Sequence, residues 1–153
     1  MACLAFITYQ DFKERKVFWF LFPLVMVLLG MLHFLHVESF EILLYYALVN
    51  TLLVTGIITI LYLYTRFINQ KKFLNHSLGL GDILFFYAFA IGFPTITFLI
   101  LFVGATIFSL FGFLSIKNSL KKKGVPLAGL MSVFMVFVML YSIISKNPTL
   151  YGH

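Results

Sequence analysis

Charge is what this chain has least of. Charged residues make up 10% of its 153 residues, and Asp and Glu together number five, whereas an average soluble domain carries roughly a quarter charged residues. Hydrophobic residues reach 62% and mean hydropathy is +1.05, so a soluble domain has no room in the chain. Cysteine is nearly missing too. A single Cys3 excludes an intramolecular disulfide and a cysteine cluster for zinc. No internal repeat and no low-complexity linker is present. The apolar runs do not alternate with polar residues, which excludes barrel strands. No Ser-His-Asp or Cys-His arrangement stands out. A phosphate loop and a dinucleotide fingerprint are absent as well, because Gly79-Leu80-Gly81 runs directly into Asp82 without the residues such motifs need next.

What remains is long apolar segments separated by short loops. They predict an all-α fold, a polytopic integral membrane helix bundle of about six transmembrane segments forming one domain over 1–153. The spans are expected at about 1–11, 17–35, 42–66, 83–92, 95–115 and 125–145. Ten of the eleven Lys and Arg fall in three clusters: Lys13, Arg15, Lys16; Arg66, Lys71, Lys72; and Lys117, Lys121, Lys122, Lys123. Lys146 lies apart. Between the clusters come the turn His36-Val37-Glu38-Ser39-Phe40-Glu41 and the uncharged turn Gly92-Phe93-Pro94. The positive-inside rule makes the clusters cytoplasmic and puts both termini outside. Because these charges are confined to loops between spans, membrane lipid is the expected partner of the 117–123 loop, and nucleic acid is not. The first and fourth segments are short, since ten helical residues rise only about 15 Å across a hydrocarbon core of about 30 Å. A start trimmed of its outer half would account for the first. An irregular continuation through Gly92-Phe93-Pro94, shielded by other helices, would account for the fourth.

Two of the five acids lie at ends of apolar segments. Asp82 follows two glycines in Gly79-Leu80-Gly81-Asp82, and Asp11 closes the first apolar run. An ionisable group at a membrane boundary is costly and by default suggests function. Each has a plain structural reading: Asp82 as a helix cap behind a Gly-Leu-Gly turn, and Asp11 as a solvated acid beside Lys13 or Arg15. The glycines would allow positive φ or close approach of another chain, such as a substrate strand. In the expected topology, both aspartates reach the cytoplasmic side. Paired carboxylates suit hydrolysis of a peptide bond by water. Two acids about 3 Å apart cannot both ionise, so one activates water while the other polarises or protonates the carbonyl oxygen. His33 and His36 share a helical face, but only Glu38 lies near them, so interfacial anchoring is expected there instead of a metal site.

With its Gly-x-Gly-Asp tetrad intact at Gly79-Leu80-Gly81-Asp82, the chain resembles the type IV prepilin peptidases, a family of membrane aspartic proteases. Tyr9-Gln10-Asp11-Phe12-Lys13-Glu14-Arg15-Lys16-Val17 is similar to the family's first-aspartate motif, and Val125-Pro126-Leu127-Ala128-Gly129 to its Pro-containing entry into the last span. Val17-Phe18-Trp19 stands where the family commonly has Ile-Pro-Asn, and Ala128-Gly129 replaces a second proline. The resemblance implies an aspartic endopeptidase with Asp11 and Asp82 as its catalytic dyad and Gly79 and Gly81 at the substrate approach. It also implies cleavage of the leader peptide of prepilin or pseudopilin-like substrates at the cytoplasmic face of a bacterial inner membrane, in type IV pilus assembly or protein secretion. Longer members carry a Cys-rich zinc loop and methylate the new N-terminus. A chain with this length and only Cys3 is expected to act as a peptidase alone, without metal or S-adenosylmethionine. The presenilin group shares the tetrad, but its members need more spans than this chain supplies.

The alternative from another class is a small non-enzymatic membrane protein, a transporter subunit or assembly factor. Asp82 would then be a cap or proton-coupling acid and Asp11 an interface charge. Against it, both acids fall on the same side, and a conduction path would want more polar residues than Asn50, Thr51, Thr55, Thr59 and the hydroxyls near Thr95 and Thr97. The distance between the two carboxylates discriminates the readings: within about 8 Å supports a dyad.

Overall fold

A computed structural model describes residues 1–14, 17–67, 79–116, 127–145 and 150–151. The described residues form six α-helices and no strand: α1 (Ala2–Glu14), α2 (Leu21–His36), α3 (Phe40–Phe67), α4 (Leu80–Gly92), α5 (Thr95–Ile116) and α6 (Leu127–Ser145). The architecture is all-α. Helix α3, residues Thr95–Ser115 of α5, and α6 are each long and apolar enough to cross a membrane. The chain is therefore a membrane protein. The Lys71–Lys72 and Lys117–Lys123 clusters, Arg15, Lys16, Lys146 and His76 lie outside the described residues.

Helix ends do not coincide with the bounds of the expected spans, and two of the differences have identifiable reasons. The second helix begins at Leu21 instead of 17, because residues 17–20 form a turn. There the Phe18 amide donates to Gln10 Oε1 at 3.3 Å and the Leu21 amide to the Phe18 carbonyl at 3.0 Å. Pro23 then falls in the first turn of α2, where a missing N–H is harmless. The fourth helix begins at Leu80 instead of 83, which places Asp82 inside its first turn.

Helix α4 lies at the centre. Its main neighbours are α2 and α3, while α1 and α5 both pack on α6. The core is built largely of phenylalanine. Phe22 meets Phe85 edge-on at 6.4 Å between centroids, Phe85 meets Phe89 at 5.4 Å, and Phe86 meets Phe102 edge-on at 5.0 Å. All five rings are buried. Edge-to-face pairs of this kind add about 0.5–1.5 kcal/mol each to the burial of their surfaces.

Between α4 and α5 the chain breaks at Phe93-Pro94. Phe93 is extended, with φ −146° and ψ 154°, as the steric demand of a following proline requires. The break leaves carbonyls at the end of α4 without helical partners, in a buried place where an unmade hydrogen bond is expensive. Two neighbouring helices supply the donors. From α3, Asn50 Nδ2 donates to the Ala90 carbonyl at 2.9 Å and the Phe93 carbonyl at 2.8 Å. From α2, His33 Nδ1 lies 2.9 Å from the Ile91 carbonyl, a contact that requires the proton on Nδ1. His33 is fully buried, so it is not an interfacial anchor. His36 stacks on Tyr151 at 4.5 Å.

Asn50 is therefore a clamp on a helix end. Replacing it with leucine of similar volume should leave two buried carbonyls unpaired and lower unfolding stability by about 1–3 kcal/mol. Denaturant titration of purified wild type and Asn50→Leu, at matched expression, measures the difference.

Candidate active site: two carboxylates on one helix start

Asp11 lies in the last turn of α1, Asp82 in the first turn of α4, and Ala128 and Gly129 in the first turn of α6. The opening turn of a helix carries amide N–H groups with no partner inside the helix. Those of α6 meet the two acids. The Ala128 amide donates to Asp82 Oδ1 at 3.0 Å, and the Gly129 amide donates to Asp11 Oδ2 at 2.6 Å. Consecutive amide nitrogens of a helix stand about 3 Å apart, so these two carboxylate oxygens lie within roughly 9 Å of each other. Asp11 is 9% exposed, and Asp82 is partly buried. Hydrogen bonding to ionised carboxylates by backbone N–H is the strong, charge-assisted kind, and the positive end of the α6 dipole favours negative charge at the same place.

Asp82 serves its own helix as well. Its Oδ2 accepts the Gly79 amide at 3.1 Å, so the side chain at the third helical position reaches back to the residue before the helix. The capping reading and the paired-acid reading thus describe different oxygens of one carboxylate. Each carboxylate oxygen has two lone pairs, so a single N–H leaves accepting capacity on both Oδ1 and Oδ2 of Asp82.

Neither Gly79 nor Gly81 takes the positive φ that was one expectation for them. Gly79 has φ −73° and ψ 148°, ordinary extended backbone, and contributes its amide. Gly81 is helical and turns towards α2. A Cβ there would stand 2.9 Å from Phe22 Cζ and 3.1 Å from Cε2. The missing side chain lets the Phe22 ring close over the first turn of α4. Gly129 is the tightest of the three, because a Cβ on it would fall 2.9 Å from Asp11 Oδ2, 3.0 Å from its Cβ and 3.3 Å from its Cγ. Thr8, one turn before Asp11, adds a hydroxyl contact of 3.4 Å to the Gly129 carbonyl. Glycine at 129 is what allows α1 to come close enough for Asp11 to reach the α6 amide.

Of the residues singled out in the sequence, Asp11, Asp82 and Gly79 converge here, while Gly81 serves the α2 contact. Sequence reasoning missed the role of Ala128 and Gly129. Their signal was small residues just after a proline at the start of an apolar helix, a pattern that marks a helix N-terminus but does not say what its amides hold. Among the described residues no group of three or more His, Cys, Asp or Glu could hold a metal ion. Compared with known protein families, characterised proteins and solved structures, the chain matches none.

The convergence is testable without any assumption about activity. In a Cys3→Ser background, the double variant Asp11→Cys/Asp82→Cys should be bridged intramolecularly by a bis-methanethiosulfonate reagent spanning about 8 Å, within the reach allowed by adjacent helix amides. A mass increase of one bridge per chain, with loss of both free thiols, is the expected result. Two separately capped thiols would contradict the geometry.

Proposed function

We propose that the protein is a multi-pass membrane aspartic endopeptidase of the type IV prepilin peptidase kind. It would cleave the leader peptide of prepilin-like precursors at the cytoplasmic face of a bacterial inner membrane. One observation carries this reading: carboxylates from two different helices are gathered on successive amides of a third. A helix cap alone does not require the second acid, and an interfacial acid would not be buried against a distant helix.

The chemistry follows from the pair. One of Asp11 and Asp82 is protonated, and the pair holds a water between them. The ionised carboxylate takes a proton from that water as its oxygen bonds to the scissile carbonyl carbon. The protonated partner gives its proton to the carbonyl oxygen, forming a neutral gem-diol. Collapse of the diol breaks the C–N bond as the amine takes a proton from the first carboxylate and a diol hydroxyl returns one to the second. Which residue starts ionised belongs to the coupled pair. The α6 amides keep both side chains aimed through the cycle, and this preorganisation removes the need for solvent to reorient. The peptidase activity needs no metal and no S-adenosylmethionine.

Asp11→Asn and Asp82→Asn should each reduce cleavage of a co-expressed prepilin-like precursor by about 10²–10⁴-fold, the usual worth of a positioned acid or base. Membrane insertion should be unchanged. Wild-type cleavage by either variant would refute the dyad. Gly129→Ala should also cut turnover, by about a hundredfold if α1 retreats by 1 Å. Gly56→Ala, at a site where a Cβ meets nothing within 4 Å, should leave turnover alone. Immunoblot time courses of precursor and mature product measure all four.

A further inference from the structure

The turn between α1 and α2 carries three consecutive aromatic residues turned outward. Phe18 is 65% exposed, Trp19 70% and Phe20 61%. Such rings in water forgo burial worth about 1.5–3 kcal/mol for a Phe-sized side chain. The turn is nevertheless held in place. The Phe18 amide is bonded to the side chain of Gln10, which is itself buried beside Asp11, and Val17 packs against the core. Leu21 and Leu24 donate back to the Phe18 and Phe20 carbonyls. An anchored turn that shows only its rings presents a surface with a definite position relative to Asp11.

The surrounding chemistry indicates what covers it. On α1, Phe6, Tyr9 and Phe12 are also exposed. Lys13 Nζ donates to the Tyr9 hydroxyl at 3.0 Å and sits 5.2 Å from the centre of its ring. In the sequence Lys13, Arg15 and Lys16 come shortly before the aromatic trio, separated from it by Val17. Tryptophan and other aromatics concentrate at the headgroup level of bilayers, where a ring keeps an apolar body and a wet edge. Adjacent basic residues add attraction to anionic headgroups. A protein partner would leave unexplained why the rings follow a basic run in the sequence of a chain with three helices long and apolar enough to cross a membrane.

We infer that Phe18, Trp19 and Phe20 insert into the boundary between lipid headgroups and acyl chains, and that this contact sets the depth of Asp11. The bond from Phe18 to Gln10 ties the two levels together. The inference stands apart from the hydrolytic reading, since it concerns where the carboxylates lie and not what they do.

Trp19 is the chain's only tryptophan, so its native fluorescence reports this turn alone. The wild-type protein is reconstituted in phosphatidylcholine vesicles containing one-fifth phosphatidylglycerol. The phosphatidylcholine is brominated either near the carbonyl end or near the methyl end of its chains. Quenching by the shallow bromines should exceed that by the deep ones at least about twofold, as expected for an interfacial ring. Moving the probe, with Trp19→Phe/Phe20→Trp, should give the same order. Deep quenching stronger than shallow would overturn the inference, because the turn would then lie in hydrocarbon. Full quenching by aqueous acrylamide with none by bromine would place the rings in water and also overturn it. Protection from every quencher would overturn it in favour of cover by a second copy or another protein.

Discussion

The hold of the α6 N-terminus on two carboxylates fixes the relative height of three helices. Buried carboxylates are tolerated only where donors meet them, since a charge removed from water without compensation costs several kcal/mol. Asp82 finds donors at Gly79 and Ala128, and Asp11 finds one at Gly129. Helix α1 packs chiefly on α6, whereas α4 packs chiefly on α2 and α3. The two amides therefore join parts of the bundle that share little apolar contact. Sliding α6 by one residue along its axis, about 1.5 Å, would offer each acid the wrong amide.

The far end of α4 is held by the same kind of force with the roles reversed. There the backbone supplies carbonyls, and Asn50 and His33 supply the donors. Helix α4 is thus tied at its first turn through a side-chain acceptor and at its last turn through side-chain donors. Between the two ties runs a connected series of edge-on and tilted phenylalanine contacts. Such a helix is a stiff mount for a carboxylate, and rigid mounting on a helix gives better placement than a loop can. The break at Phe93-Pro94 costs little because its carbonyls are met, which is how irregular backbone survives in an apolar setting.

Much of this was legible in the residues, and the parts that were not share a cause. Six helices followed from apolar length, and the break at Gly92-Phe93-Pro94 from glycine and proline. Asp11 and Asp82 stood out because acids are so few. What could not be read were contacts made by backbone groups, which are the same for every residue type. Nothing in the letters Ala128-Gly129 states that their amides face two acids. Gly81 could be flagged as permissive, yet only the fold shows that it yields space to Phe22. Asn50 could be read only as one of a few polar groups in the spans, because a lone amide in an apolar helix has many uses and its partner carbonyls lie forty and more residues away, at the end of α4. Helix starts were not legible where a side chain makes the turn, as Gln10 does for Phe18.

Helix α4 has 13 residues, against 28 in α3. At 1.5 Å per residue the two rise about 20 Å and about 40 Å, and a hydrocarbon core is about 30 Å thick. A helix that carries Asp82 in its first turn and stops about 20 Å later ends among its neighbours instead of at an opposite surface. The carboxylate therefore stands on a post whose far end is fastened to the side chains of Asn50 and His33, and not to water.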